Sequence, residues 1–224
     1  MVKVIISGYG KMGHIVEQEL KSKGIELVAS TDDICSVPTD VASECVCIDF
    51  TTPAAFRQNY GFIAENFKAA VIGTTGWNDI EDEVIGCFEK HGKTMIYASN
   101  FSIGVNVLFA AVDLLSKKLG NAGGYMPYII EKHHIHKLDA PSGTAKSLAE
   151  IVDGDMGCST DIQSVRCGEI PGIHTVGFEG LNDRITITHE AFSRAGFAQG
   201  AVYAATLTEN LTGVHRFQEL ILGE

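Results

Sequence analysis

The sequence predicts an α/β chain in which an open parallel sheet precedes a smaller α+β unit. Short β-branched runs alternate with helical periodicity over residues 2–98, a glycine-rich turn separates the first run from the first helix, and strand-like runs dominate after residue 124. Strand-helix alternation implies parallel neighbours, which need crossover connections, whereas clustered strands with one helix make an α+β layer. With 224 residues and 45% hydrophobic composition, the chain has enough apolar material for a substantial core.

Residues 2–7 form the first expected strand, and Ile15, Val16 and Leu20 then recur at helical spacing up to Gly24. Between them lies Gly8-Tyr9-Gly10-Lys11-Met12-Gly13. In such a G-x-G-x-x-G turn Gly8 permits the tight bend, Gly10 lets the backbone approach a pyrophosphate, and Gly13 lets helix and strand pack closely. A glycine-rich turn without a ligand is the plain alternative; the context favours a Rossmann-type unit. Residues 25–30 make a second strand that ends at Thr31-Asp32-Asp33. An acid about twenty residues beyond the glycine turn accepts hydrogen bonds from the adenosine ribose, which makes Asp32 the candidate. No Arg or Lys occurs between Lys23 and Arg57 to neutralise a ribose phosphate, so NADH is expected ahead of NADPH, with NADPH possible.

A third strand at 45–50 closes on Thr51-Thr52-Pro53 before a helix at 54–67, and a fourth at 69–72 opens into Gly73-Thr74-Thr75-Gly76. A helix at 78–91 leads to a fifth strand at 94–98 and to Ser99-Asn100-Phe101-Ser102. Small and hydroxyl residues at the carboxyl ends of parallel strands belong where a ligand lies across the sheet. Residues 31–44 are too short for a full crossover helix. The apolar helix expected at 104–119 is core, and Trp77 is packing. Strands follow at 128–131, 162–166, 174–178 and 184–189, with one helix starting near Ser142. Helical spacing returns at 198–211 and 216–222, packing back on the first domain. The expected division is a dinucleotide-binding domain of residues 1–101 and 195–224, with a substrate-binding domain of residues 102–194.

A net charge of -11 argues against a nucleic-acid partner. No stretch approaches a membrane span and the start carries no export signal, so a soluble cytoplasmic protein is expected. The six cysteines show no Cys-x-x-Cys spacing, which suits a reducing compartment. Cys45 and Cys47 share a strand face without a second ligand pair, and no metal site is expected.

Residues 131–145, EKHHIHKLDAPSGTA, concentrate three histidines, two lysines, an aspartate and a Ser-Gly-Thr turn where a strand gives way to a helix. That mixture fits a site that binds an anion and moves a proton. Lys132, Lys137 and Lys146 supply local positive charge in an acidic protein. Lys137 beside His133, His134 and His136 argues against a metal, because an ammonium repels a cation. His14, His91 and His215 read as surface or capping residues on helices, and His174 and His189 as core or interface groups on strands.

Taken in order, GYGKMG, IDFTTP, VIGTTG, ASNFSIGVNV, EKHHIHKLDAPSGTA and ITHEAFSR resemble the 4-hydroxy-tetrahydrodipicolinate (dihydrodipicolinate) reductase family of the diaminopimelate and lysine pathway. The HH-x-x-K-x-DAPSGTA run carries most of the specificity. The resemblance implies NAD(P)H-dependent reduction of a small cyclic dicarboxylate, and a homo-oligomer, usually a tetramer, built by strands of the second domain. It implies that His133 and Lys137 are the catalytic pair. His134, Ser142, Gly143 and Thr144 would hold substrate carboxylates, with a further contact from Arg194. Residues Gly8 to Gly13, Asp32, Gly73, Thr74, Thr75, Ala98, Ser99, Asn100 and Phe101 would face the cofactor.

Chemistry agrees with these roles. Hydride arriving at an unsaturated ring builds negative charge that a cation such as Lys137 quenches, and imidazole titrates near neutral pH. The chain departs from the family in a glycine turn one residue shorter, in Asp33 where a basic residue often follows the ribose-binding acid, and in a shortened segment after the Ser142 helix. The second departure favours NADH, and the third bears on the oligomer. Two other readings fit the same plan: another nicotinamide-dependent dehydrogenase of a small acid, and a non-catalytic NADH-sensing module. No cysteine lies in an obvious catalytic loop, which speaks against a phosphorylating semialdehyde enzyme.

Overall fold

A computed structural model describes residues 2–223. The chain divides into two compact units, Met1–Ile103 with Ala195–Glu224, and Gly104–Arg194. The first unit holds β1 (Lys3–Ser7), β2 (Glu26–Thr31), β3 (Val46–Asp49), β4 (Ala69–Ile72), β5 (Thr94–Tyr97) and β10 (Val214–Arg216). They form one parallel sheet in the order β10-β5-β4-β3-β1-β2. Every residue of β3 and β4 is buried, so these strands are apolar without alternation, as in a sheet covered on both faces.

Val4, Ile6, Val46, Ile48 and Val71 face α1 (Lys11–Lys23) and α7 (Ala195–Leu207). The opposite face, with Ile5, Cys47, Ala70, Ile72 and Met95, packs on α3 (Pro53–Asn66) and α4 (Glu81–Lys90). Cys45 and Cys47 are free thiols in that second cluster. Residues 32–45 hold a 3-10 turn (Ile34–Ser36) and the one-turn α2 (Thr39–Ala42).

The sixth strand corrects the expectation of five. Val214 to Arg216 run beside Met95 to Tyr97, and α8 (Phe217–Leu222) starts only after them. Three residues are too few for alternation to register in sequence. His215 therefore lies on a strand rather than a helix, whereas His14 is exposed on α1 and His91 closes α4. The helix expected at 198–211 is α7, shifted towards the amino terminus.

In the second unit α5 (Ile103–Ala122) leads to β6 (Met126–His133), α6 (Gly143–Met156), β7 (Asp161–Arg166), β8 (Gly172–Glu179) and β9 (Arg184–Ala191). The sheet order is β7-β6-β8-β9, with β7 parallel to β6 and the other pairs antiparallel. Register arranges side chains in rows. Ile162, Ile129, Val176 and Ile187 lie opposite one another and pack with Val105, Leu108 and Val112 of α5 and Leu148 and Val152 of α6. Two residues further along each strand, the same face turns polar: Ser164, Glu131, His174 and His189 form the next row. α5 buries one stripe and exposes Val107 and Leu114, so it is not core throughout as its uniform apolarity suggests. Among the described residues no helix is long and apolar enough to cross a membrane.

Candidate active site

The polar row of the second unit continues into the histidine-rich loop. His133 ends β6, and period-two alternation puts it on the face of Glu131; both are buried. One Glu131 oxygen meets His133 Nδ1, and the other accepts from Arg166 Nη2 at 2.8 Å. Arg166 also donates to the Asp139 carbonyl at 2.6 Å, tying the carboxylate to the loop. Burial pushes the Glu131 carboxyl up, but hydrogen bonds from Arg166 and His133 outweigh it and bring it down to about 2. Burial lowers the His133 imidazole, with Glu131 acting in the opposite sense. From β8 comes His174, its ring edge-to-face 5.1 Å from that of His133 and its Nε2 3.1 Å from Ser142 Oγ. Burial, reinforced by His133, pushes His174 down to about 4.

The loop is pinned where it leaves the strand: Cys167 N–H donates to the His133 carbonyl at 2.9 Å and Ile135 N–H to that of Gly168 at 3.2 Å. His134 follows directly, and Lys137 Nζ pairs with Asp139 Oδ1 at 2.8 Å. The loop ends at Ser142, the N-cap of α6, whose Oγ accepts from Ala145 N–H at 3.3 Å. Gly143 and Thr144 open the helix, and a Cβ at Gly143 would meet no atom within 4 Å. The first-turn amides are thus approachable by a carboxylate, which the helix dipole also favours. Arg194 is exposed beyond β9 and has no hydrogen bond or ion pair with this cluster among the described residues. Nδ1 of His134, His174 and His189, Oγ of Ser164 and Nε of Arg166 are buried without hydrogen-bond partners, so unspent hydrogen-bonding capacity collects along this polar row and the loop that continues it.

Glu131, His133 and His174 each offer a donor atom within 4.8 Å of the others, the reach of a metal site. The carboxylate is already divided between His133 and Arg166, and the charges of Lys137 and Arg166 bear on the same imidazole. That setting opposes a divalent cation and suits a proton-bonded cluster.

In the first unit the glycine turn follows β1. Gly8 has φ +88°, and a Cβ there would come 2.5 Å from the Phe50 carbonyl oxygen; at Gly13 it would come 2.4 Å from that of Gly8. At Gly10, the N-cap of α1, a Cβ would meet nothing within 4 Å and no side chain caps the helix. Packing within the protein accounts for Gly8 and Gly13, whereas the opening at Gly10 fits a pyrophosphate approaching the helix amides. Tyr9 N–H donates to Asp32 Oδ1 at 2.7 Å, so the ribose-binding candidate is held to the turn. Lys11 is exposed at the start of α1, and Met12 packs against the core.

Gly73, Thr74 and Thr75 follow β4, and Ala98, Ser99, Asn100 and Phe101 follow β5. All cofactor candidates therefore lie near the carboxyl ends of β1, β2, β4 and β5. Asn100 Oδ1 accepts from Ser102 N–H at 2.8 Å, and Phe101 is buried with its ring 4.8 Å from Phe217. Trp77 is buried, and its Nε1–H donates to the Thr74 carbonyl at 2.6 Å.

Sequence reasoning missed Asp49. Fully buried at the end of β3, it accepts from Ser7 Oγ at 2.7 Å, from Thr51 Oγ1 at 2.9 Å and from the Thr74 hydroxyl. Thr74 Oγ1 in turn accepts from Thr51 N–H at 2.7 Å, so the ends of β1, β3 and β4 are joined. Burial raises the Asp49 pKa against the pull of these hydroxyls. Its signal was an acid inside the apolar run VCIDF. Glu131 was signalled by its two-residue spacing from His133; Arg166 stands in no motif.

The family model for the N-terminus of dihydrodipicolinate reductase matches residues 2–101, and that for its C-terminus matches residues 104–221. A 4-hydroxy-tetrahydrodipicolinate reductase of Christiangramia forsetii is 36% identical over 233 residues, covering 98% of each chain. One from Xanthomonas axonopodis pv. citri is 36% identical over 238 residues, covering 99% of this chain and 98% of the relative. In fold, the chain resembles dipicolinate-bound dihydrodipicolinate reductase from Paenisporosarcina sp. TG-14, with a TM-score of 0.81, 23% identity and coverage of 96% and 97%. Aspartate semialdehyde dehydrogenase II of Vibrio cholerae has a TM-score of 0.55 at 13% identity, covering 92% of this chain and 98% of that one.

Proposed function

The chain belongs to the dihydrodipicolinate reductase family, and from that premise we propose that it reduces 4-hydroxy-tetrahydrodipicolinate to tetrahydrodipicolinate, towards diaminopimelate and lysine, with NADH preferred to NADPH. The observation that carries this reading is the junction of β6 and α6. A buried, carboxylate-backed histidine, a lysine and an open helix N-terminus meet there within one short loop.

A nicotinamide dinucleotide, when bound, supplies the hydride. The amides after Gly10 hold its pyrophosphate, Asp32 its adenosine ribose, and the loops at Gly73 to Thr75 and Ala98 to Phe101 its remaining length. Substrate carboxylates are met by the amides of Gly143 and Thr144, by the Ser142 and Thr144 hydroxyls and by His134, with Arg194 as a further contact. Loss of the 4-hydroxyl as water leaves the unsaturated ring that the hydride reduces; hydride addition builds negative charge on that ring, and the ammonium of Lys137 neutralises it and delivers the proton. His133 shares that proton. Asp32 and Asp33, with no Lys or Arg between Lys23 and Arg57, disfavour a ribose phosphate and support NADH. A homo-oligomer, a tetramer by family resemblance, completes the proposal.

Mixed with the condensation product of pyruvate and aspartate semialdehyde, the purified protein should oxidise NADH. A folded protein that binds NADH and does not turn over defeats the reading. Lys137→Ala should lower kcat by about 10²- to 10⁴-fold, the usual contribution of a proton donor, with NADH affinity unchanged by fluorescence titration. Initial rates with NADH should exceed those with NADPH at equal concentration; the reverse order overturns the assignment to Asp32 and Asp33.

A further inference from the structure

We propose that Glu131 is a positioning residue that holds His133 in the tautomer protonated at Nδ1, leaving Nε2 as the only ring nitrogen that exchanges protons with the substrate. The inference rests on the reading of His133 as part of the proton-delivery pair and adds a residue to which that reading gave no role.

An ionised carboxylate only accepts hydrogen bonds. Both Glu131 oxygens are engaged, one by Arg166 Nη2 at 2.8 Å and the other by His133 Nδ1, so Nδ1 must carry a hydrogen. Glu131 is 0% exposed, and no water competes for this contact at the surface. The pairing with Arg166 keeps the carboxyl ionised even though it is buried. Nε2 faces the other way, towards Gly172, where a Cβ would stand 3.1 Å from it.

The charged and titratable groups around the ring are Glu131 from β6, Arg166 from β7, His174 from β8 and Lys137 from the loop. Glu131 alone among them stabilises an imidazolium. When Nε2 takes a proton the carboxylate faces a full positive charge, and when Nε2 releases it the Nδ1–H remains. The cycle returns to the same tautomer, with no proton left on Glu131. A purely structural Glu131 would only clamp β6 to β7 through Arg166 and would leave the proton inventory of His133 unchanged.

Nitrogen-15 NMR of the wild-type protein should show neutral His133 protonated at Nδ1; protonation at Nε2 overturns the proposal without any variant. Glu131→Gln should lower kcat by about 10-fold or more, as when a histidine loses its orienting carboxylate, with NADH affinity unchanged. The His133 limb of the pH profile should also move to lower pH, because the imidazolium loses its counter-charge. A folded Glu131→Gln protein with wild-type kcat and pH profile overturns the proposal. His133→Gln separates the two levels: full turnover there defeats the role of His133 itself, whereas lost turnover there with an unaffected Glu131→Gln defeats this inference alone.

Discussion

His174 couples the site to stability through a single buried ring. Its folded pKa of about 4 lies below the ordinary 6.5, so between those values the unfolded chain binds more protons than the native one. Its contribution is complete above pH 6.5 and is lost as pH falls through 4. Glu131, brought from 4.5 to about 2, adds a second step with the same sign, complete above pH 4.5 and lost as pH falls through 2. Urea midpoints should therefore decline from about pH 6.5 downwards, each group contributing on the order of 3 kcal/mol at most. His174→Gln should reduce the upper step, to which the His133 and His189 rings, also lowered by burial, add in the same sense, and leave the lower one. At this scale the sequence was legible where chemistry follows local spacing, as in the glycine turn and the His133 to Thr144 loop. It was silent on Arg166 and marked Asp49 only as an acid inside an apolar run, because the meaning of both depends on partners that only long-range pairing supplies.

At the scale of elements, Asp49 joins three strand ends. Asp49→Ala would leave the hydroxyls of Ser7, Thr51 and Thr74 without their common acceptor, at a cost of about 3 kcal/mol in denaturant unfolding. Because Thr74 is a cofactor candidate, NADH titration should show weakened binding in the same variant. The elements legible in the sequence are those long or apolar enough to carry a period: the five strands β1 to β5 of the first sheet, α1, α3 and the amphipathic β7 and β9. β10 was not, since three residues hold no period and only the neighbouring edge of β5 makes them a strand. The polar row across β7, β6, β8 and β9 escaped for another reason. Each strand contributes one member, and the register that aligns them is absent from any single segment.

At the scale of the whole molecule, the first unit draws on both ends of the chain. Ala198, Ala201, Val202, Ala204, Ala205 and Phe217 supply buried contacts to the cluster on one sheet face, and Val214 to Arg216 close one edge. Deleting residues 195–224 should uncover that face and abolish cooperative unfolding of the first unit, as followed by circular dichroism during a urea titration. An intact transition would show that residues 1–103 are self-sufficient. The return of the chain was legible because apolar helical spacing reappears after a run of strands, although its starting residue was not. This interrupted plan also bears on synthesis. Gly104–Arg194 is continuous and can settle as soon as it leaves the ribosome, while the portion made before it waits for α7. If the deletion does abolish that transition, folding order is expected to invert translation order, with an apolar sheet face open to a chaperone until α7 is made.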